Sequence, residues 1–278
     1  AGAAPISRAQ IKMKIGFIGF VLSAMLAGAT VSGSINSWDP AEETDINCLS
    51  WRLAVETNNL KTFKVVPKGC RDYVANYMES SQYADDKGGV IHTASNYADT
   101  IPLISQVSEN SKLQRPGRGK HLWLFSLDQT TLSNLEYYRE HGYGSNVYNE
   151  TMYNEWVAKG NAPAIPETLV LYKKLISLGI EVVFLSGRSA VHMDVTIQNL
   201  KNVGYTKWHS LILKGEEYNG LSSSYFKAAE RAKLVEKGYI IVGNMADHWI
   251  NGLNIGEAFG ANIGDRFFKF PNPMYASG

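Results

Sequence analysis

Four short apolar runs in the second half of the chain are typical of buried β-strands. They are His121–Phe125, Glu181–Leu185, Ser210–Leu213 and Tyr239–Val242. Each run is too short for a helix of ordinary length, and none alternates strictly between apolar and polar residues. Continuous apolar runs of this kind are expected where a parallel sheet is covered on both faces.

Helical patterns separate these runs. Apolar residues recur at spacings of three and four in residues 166–178, 191–203 and 225–236. Each segment is followed by a glycine, the residue that most often ends a helix. These glycines are Gly179, Gly204 and Gly238. Strands that alternate with helices predict an α/β fold with a mainly parallel sheet.

The segment before the first strand has a different character. Residues 37–117 are predicted to form a helical and irregular N-terminal extension, with one short helix around Leu49–Val55 and another around Cys70–Met78. The turn Pro67–Gly69 separates the two helices. A loop rich in glycine and arginine, residues 114–119, marks the boundary with a core domain over residues 118–278.

Residues 1–36 are predicted to lie outside the fold. An uncharged apolar stretch, Ile15–Leu26, follows Lys12 and Lys14 and precedes a run of small residues. This arrangement is typical of a secretory signal peptide, and the stretch is shorter than the ~20 residues that span a bilayer. We therefore expect residues 1–36 to consist of upstream residues and a signal peptide. Cleavage of this leader is expected between Gly28 and Ser37. The alternative is a buried core helix.

Secretion would give a meaning to the two cysteines and to one sequence triplet. In the secretory pathway a pair of cysteines more often forms a disulfide than a metal site, so Cys48 and Cys70 are predicted to be bonded to each other. Asn149-Glu150-Thr151 is an acceptor sequence for N-glycosylation.

The composition excludes several classes of protein. Hydrophobic residues make up 45% of the chain, which excludes general disorder. The 27 basic and 26 acidic residues give a charge of +1, so nothing favours a nucleic-acid partner. Without Arg8, Lys12 and Lys14 of the leader, 24 basic residues face 26 acidic ones, and the mature chain is slightly acidic. The six histidines show no metal-ligand spacing.

Polar residues follow three of the strands, where ligands bind in parallel α/β sheets. A lysine in the helix before the fourth strand completes the set. The candidate residues, in chain order, are Ser126, Asp128, Thr130, Ser186, Gly187, Arg188, Lys227, Asp247 and Asn251.

This order of motifs resembles the haloacid dehalogenase-like superfamily, which carries Asp-x-Asp-x-Thr, then Ser or Thr, then Lys, then Gly-Asp-x-x-x-Asp at its strand ends. Further segments of the sequence resemble the plant acid phosphatases and most of all the legume vegetative storage proteins. They include His141–Gly144, Phe184–Arg188 and Phe270–Pro273. The similarity covers residues 45–275. It implies a Rossmann-like parallel sheet with a small helical cap inserted at about residues 134–165.

The resemblance also assigns roles to the candidate residues. Ser126 stands at the position of the nucleophilic aspartate, and Asp128 at that of the general acid and base. Mg²⁺, which prefers oxygen ligands, would be held by Asp128, Asp247 and Asn251. The residues that would bind phosphate are Thr130, Ser186, Gly187, Arg188 and Lys227.

Two departures weaken this implied site. Ser126 replaces the attacking carboxylate, and Asn251 replaces a carboxylate of the metal site, so we expect Mg²⁺ to bind weakly and hydrolysis to be slow. Other interpretations of the same residues stay open. Asp128 could cap a turn, residues 186–188 could form an ordinary turn, Lys227 could be a solvated helix residue, and Lys214 could be the phosphate-facing lysine.

The resemblance implies a nitrogen and amino-acid reserve protein with little or no phosphatase activity, located in the plant vacuole. It further implies a homodimer, or a heterodimer with a paralogue, without nucleic acid and without membrane attachment after leader cleavage. Two alternatives remain: a weak Mg²⁺-dependent acid phosphatase in which Asp128 activates water, and a protein that binds phosphate or another small anion.

Overall fold

A computed structural model describes residues 46–60, 65–109, 120–249 and 266–274. The predicted leader and Asn251 lie outside the described residues, as does the boundary loop at 114–119. Within the described part of the chain, no helix is both long enough and apolar enough to cross a membrane.

The centre of the fold is a five-stranded parallel sheet. Its strands are β1 (His121–Phe125), β2 (Glu181–Ser189), β3 (Ser210–Lys214), β4 (Ile240–Ala246) and β5 (Phe267–Lys269). They pair in the order β3-β2-β1-β4-β5, and every pairing is parallel. The predicted α/β class with a parallel sheet is confirmed. β5 was not predicted, because a three-residue strand carries too little pattern.

Eight α-helices lie in the described residues. They are α1 (Cys48–Glu56), α2 (Arg71–Met78), α3 (Ser81–Glu109), α4 (Leu135–Glu140), α5 (Glu150–Ala158), α6 (Pro166–Ser177), α7 (Met193–Asn202) and α8 (Ser223–Glu236). The three helices predicted between the strands are confirmed. α4 and α5 fall within the range predicted for the cap.

α3 is a long helix of the N-terminal extension that was not predicted from the sequence. Twenty-nine residues form one helix, although it contains Gly88 and Gly89, and glycine disfavours helix by about 1 kcal/mol each. Its buried residues recur at helical spacing: Ile91, Ala94, Ala98 and Ile101. They join the main core beneath the sheet. Tertiary packing of this narrow stripe therefore stabilises a helix that its propensities disfavour.

The residues of β1 alternate between two cores. Trp123 and Phe125 belong to the larger core, and Leu122 and Leu124 to the smaller one on the other face. All four are at most 1% exposed, and burial of such a side chain contributes about 1.5–3 kcal/mol. A Cβ at Gly243 of β4 would lie 2.4 Å from the Trp123 ring, so only glycine fits there.

The N-terminal helices have a core of their own, and it includes Met274 from the C-terminal part of the chain. Trp51 and Val55 of α1 pack with Val74 and Met78 of α2, and Met274 joins them. The predicted disulfide between Cys48 and Cys70 is confirmed. It joins α1 to the turn that leads into α2, so the first helix of the extension is covalently fixed.

Removing this disulfide should lower stability. The bond closes a loop across a sequence separation of 22, for which the chain-entropy relation gives about 3 kcal/mol. We expect the double variant Cys48→Ala, Cys70→Ala to lose about that much free energy of unfolding in urea. Chemical reduction of the unaltered protein should give the same loss. A loss below about 1 kcal/mol would show that the unfolded chain is not restricted by the bond.

Candidate functional site

A cavity of about 440 Å³ opens at the carboxyl ends of the strands. Most of the predicted site residues line it: Ser126, Asp128, Ser186, Gly187, Arg188, Lys227 and Asp247. The competing lysine, Lys214, also reaches the wall. Residues from four separate stretches of sequence thus meet, because parallel strands present their carboxyl ends at one edge of the sheet.

A tight turn after β1 sets the direction of the first two site residues. The carbonyl of Leu127 accepts hydrogen bonds from the amides of Thr130, Thr131 and Leu132. Leu127 is fully buried in the core, whereas its neighbours Ser126 and Asp128 face the cavity. The strand alternation therefore continues for three residues beyond β1 and places two polar side chains on the same side.

Arg188 holds the carboxylate of Asp128. Its Nε lies 3.0 and 3.2 Å from Oδ1 and Oδ2, and its Nη2 lies 2.6 Å from Oδ1. The hydroxyl of Ser186 donates to Oδ2 at 3.2 Å. The Arg188 side chain is only 2% exposed, and that of Asp128 is 28% exposed. Burial alone would raise the pKa of Asp128, but the Arg188 charge and the hydrogen bonds outweigh it and lower the pKa to about 2.

Three residues that the sequence did not single out support this carboxylate. Asn134 Nδ2 donates to Asp128 Oδ1 at 2.8 Å and to the Tyr153 hydroxyl at 2.8 Å. The indole of Trp156 donates to Asn134 Oδ1 at 3.2 Å. Trp156 lies in α5, which is 22 residues away from Asn134. Proximity of this kind leaves no local pattern in the sequence.

Lys227 lies against the position of the missing nucleophile. Its ammonium group donates to Ser126 Oγ at 3.2 Å. The residue is 7% exposed, and burial lowers its pKa to about 8. Lys214 instead donates to the carbonyl of Leu221 at 2.6 Å. The structure thus places Lys227, not Lys214, beside Ser126, and Lys227 is not a solvated helix residue.

Asp247 is connected to the N-terminal extension by a chain of hydrogen bonds. Its Oδ2 accepts from Asn272 Nδ2 at 2.8 Å, and the backbone amide of Asn272 donates to Glu56 Oε2 at 3.3 Å. Lys269 also pairs with Glu56. Burial raises the pKa of Asp247, although the Asn272 hydrogen bond opposes this. Glu56 ends α1, so the extension supports one wall of the cavity.

The described residues do not by themselves form a complete magnesium site. Among them, no group of three or more His, Cys, Asp or Glu is arranged to hold a metal. An ammonium group already contacts the oxygen of Ser126, and the carboxylate of Asp128 is neutralised by Arg188. Mg²⁺ needs oxygen ligands in an octahedron and few competing cations. The third predicted ligand, Asn251, lies outside the described residues, and the weakened site stays a prediction.

Thr130 is the predicted site residue that the structure keeps away from the cavity. It is fully buried and does not line the wall. Gln129 before it has a φ of 50°, which tightens the turn. The Thr130 carbonyl accepts from the hydroxyl of Thr168 at 2.6 Å. The structure therefore gives no support to direct phosphate binding by Thr130, which stays a prediction, and the Thr130 carbonyl fixes the turn to α6.

Curated relatives match most of the chain. It is 38% identical to acid phosphatase 1 of Solanum lycopersicum over 231 residues, which covers 83% of this chain and 84% of that protein. It is 40% identical to the stem 28 kDa glycoprotein of Glycine max over 243 residues, with coverages of 87% and 88%. It is also 40% identical to vegetative storage protein 1 of Arabidopsis thaliana over 233 residues, with coverages of 82% and 78%.

Solved structures share the fold. The class C acid phosphatase of Bacillus anthracis superposes with a TM-score of 0.53 at 21% identity, over 74% of this chain and 84% of that one. Residues 35–278 match the family described as HAD superfamily, subfamily IIIB (acid phosphatase). With the parallel sheet and the strand-end motifs in place, this chain belongs to subfamily IIIB of the HAD superfamily, the acid phosphatase subfamily.

Proposed function

We propose that this chain is a vegetative storage protein, a nitrogen and amino-acid reserve built on an acid phosphatase scaffold, with little or no hydrolytic activity. The relatives named vegetative storage protein and stem glycoprotein support a reserve role. The one named acid phosphatase supports the origin of the scaffold.

The observation that carries the proposal is the identity of the side chain beside Lys227. In an active member this position holds the attacking carboxylate, which forms a phosphoaspartate. Here it holds the hydroxyl of Ser126, which accepts a hydrogen bond from an ammonium group. A hydroxyl attacks phosphorus only when a strong base or a metal activates it, and a protonated lysine cannot act as that base.

The second catalytic position is equally unsuited to its role. A general acid must carry a proton at the working pH. With a pKa of about 2, Asp128 is ionised at the weakly acidic pH of a vacuole and has no proton to give to a leaving group. Its lone pairs are engaged by Arg188, Asn134 and Ser186. It is therefore also a weak base toward water, which opposes the alternative of a weak phosphatase that uses Asp128 directly.

Hydrolysis of an aryl phosphate, with and without Mg²⁺, tests the proposal. We expect no turnover above background, and no change in the variant Asp128→Asn, because that carboxylate already has no proton to exchange. Robust turnover that is abolished by Asp128→Asn would overturn the proposal of a storage protein without activity. It would establish the alternative, an acid phosphatase. Protein purified from a bacterial host that lacks its own acid phosphatases is the necessary control preparation.

A second candidate, binding of a small anion, is favoured by the chemistry of the cavity wall. Lys214 and Lys227 line it together with Ser186, Ser189 and Ser223. A ligand that binds only the folded state raises the melting temperature by mass action. Millimolar phosphate should then stabilise the protein but not the variant Lys227→Gln. If phosphate does not shift the melting temperature of the unaltered protein, anion binding is contradicted and the storage function stands by itself.

We further propose that the protein passes through the secretory pathway to the vacuole as a glycoprotein. The names of the Glycine max relatives and the acceptor sequence at Asn149 support this route. For the assembly, we propose a homodimer or a heterodimer with a paralogue. We also propose that the protein has no nucleic-acid partner. Light scattering of the purified protein measures the mass of the assembly and so tests the dimer directly.

A further inference from the structure

The glycan acceptor Asn149 precedes α5 and caps its first turn. Its Oδ1 accepts a hydrogen bond from the amide of Met152 at 3.1 Å. The residue is exposed, and no described residue pairs with its Nδ2. Since Nδ2 is the atom to which an N-glycan is joined, the cap and a glycan can coexist on one side chain.

The residues on both sides of Asn149 belong to the wall of the strand-end cavity. Tyr148 and Glu150 line the cavity, and so do Tyr153 and Asn154 one turn further along α5. Tyr148 is 38% exposed, and Val147 before it is 84% exposed. Asn149 itself does not line the cavity but lies between two residues that do, at the exposed edge of the cavity wall.

We propose that an N-glycan on Asn149 stands at the mouth of this cavity and restricts it to small ligands. A glycan is bulky and strongly hydrated, so it would leave inorganic phosphate and small phosphomonoesters free to enter. It would keep folded phosphoproteins and other macromolecules from reaching Lys227. The inference rests on the secretory route proposed above, but not on any activity of the cavity.

The modification itself is a transfer from a lipid-linked oligosaccharide diphosphate in the secretory pathway. A bond forms between Asn149 Nδ2 and the anomeric carbon of the first sugar. The bond from that carbon to the diphosphate oxygen breaks, the lipid diphosphate leaves, and the proton lost by the amide is taken up by the transferase or by solvent. Thr151 supplies the hydroxyl that the acceptor sequence requires.

Mass spectrometry of protein purified from a plant host tests occupancy. We expect the peptide that contains Asn149 to carry a glycan, and Thr151→Ala to abolish it. Thr151→Ala is a better control than Asn149→Gln, because it removes the acceptor sequence while the asparagine keeps its hydrogen bond to Met152. An unmodified Asn149 in the protein from the plant host would overturn the proposal.

The size limit is tested by thiol labelling, which needs no bound ligand. Both native cysteines are in the disulfide, so Ser224→Cys places a single thiol in the cavity wall. A small maleimide should label it equally well with and without the glycan. A maleimide carried on a polyethylene glycol chain should react several-fold more slowly when the glycan is present than in the Thr151→Ala background.

A matched thiol separates the local effect from a general one. Lys173→Cys lies on the exposed side of α6, away from the cavity, and its labelling by the bulky reagent should not depend on the glycan. Equal rates of bulky labelling at Ser224→Cys in both backgrounds would contradict the size limit. Because no anion is used, failure here is distinct from failure of the anion-binding candidate.

Discussion

Restoring the two missing carboxylates should give this chain phosphatase activity. We expect the double variant Ser126→Asp, Asn251→Asp to hydrolyse an aryl phosphate faster than the unaltered protein by roughly two orders of magnitude or more, since a covalent nucleophile accounts for much of the rate in enzymes that use one. Lys227 would then face a carboxylate in place of the hydroxyl it now contacts. Release of the phenol in a single turnover, with Mg²⁺ present, measures the gain, because later turnovers would also need a base that activates water.

The choice of substrate and controls follows from Asp128. An aryl phosphate with an acidic phenol is needed, because its leaving group departs without the proton that Asp128 lacks. Ser126→Asn with Asn251→Asp is the matched control, since it adds an amide of the same shape but no nucleophilic carboxylate. No gain in the double variant over this control would mean that the site has lost more than its nucleophile and metal ligand.

Removing Arg188 should be the most destabilising single change at the site. Arg188→Met leaves the Asp128 carboxylate partly buried without its counter-charge, and breaking such a pair costs about 3–5 kcal/mol. We expect Asp128→Asn in the same background to recover a large part of the loss, because the uncompensated charge is then gone. Urea unfolding of the single and double variants gives the coupling energy. A double variant as unstable as the sum of the singles would contradict the pairing.

The pair of Arg188 and Asp128 should also affect how the free energy of unfolding falls at low pH. The pKa of Asp128 is lowered from 3.8 to about 2 in the folded protein, so the folded state binds fewer protons than the unfolded state in that range. Its contribution, about 2 kcal/mol by linkage, is present above pH 3.8 and is lost as the pH falls through 2. The variant Asp128→Asn should lack this component of the acid loss.

Much of the fold could be predicted because its signals are local. The strand runs and the glycines after α6, α7 and α8 carry the α/β pattern within short windows. α3 could not be predicted in the same way. Its two glycines argue against helix, and it is held by a stripe of apolar residues against the sheet. β5 is similarly set by pairing with β4 and not by its own three residues.

The sequence alone determined most of the residues that meet at the strand ends and which carboxylates are missing there. Motif order and strand–helix alternation are properties of the chain, and Ser126 is a serine whatever surrounds it. Only the tertiary structure decided what the remaining groups can do. Charge state, burial and hydrogen bonding depend on residues distant in sequence, and so the pairing of Arg188 with Asp128, the burial of Thr130 and the place of Asn149 beside the cavity wall arise from packing alone.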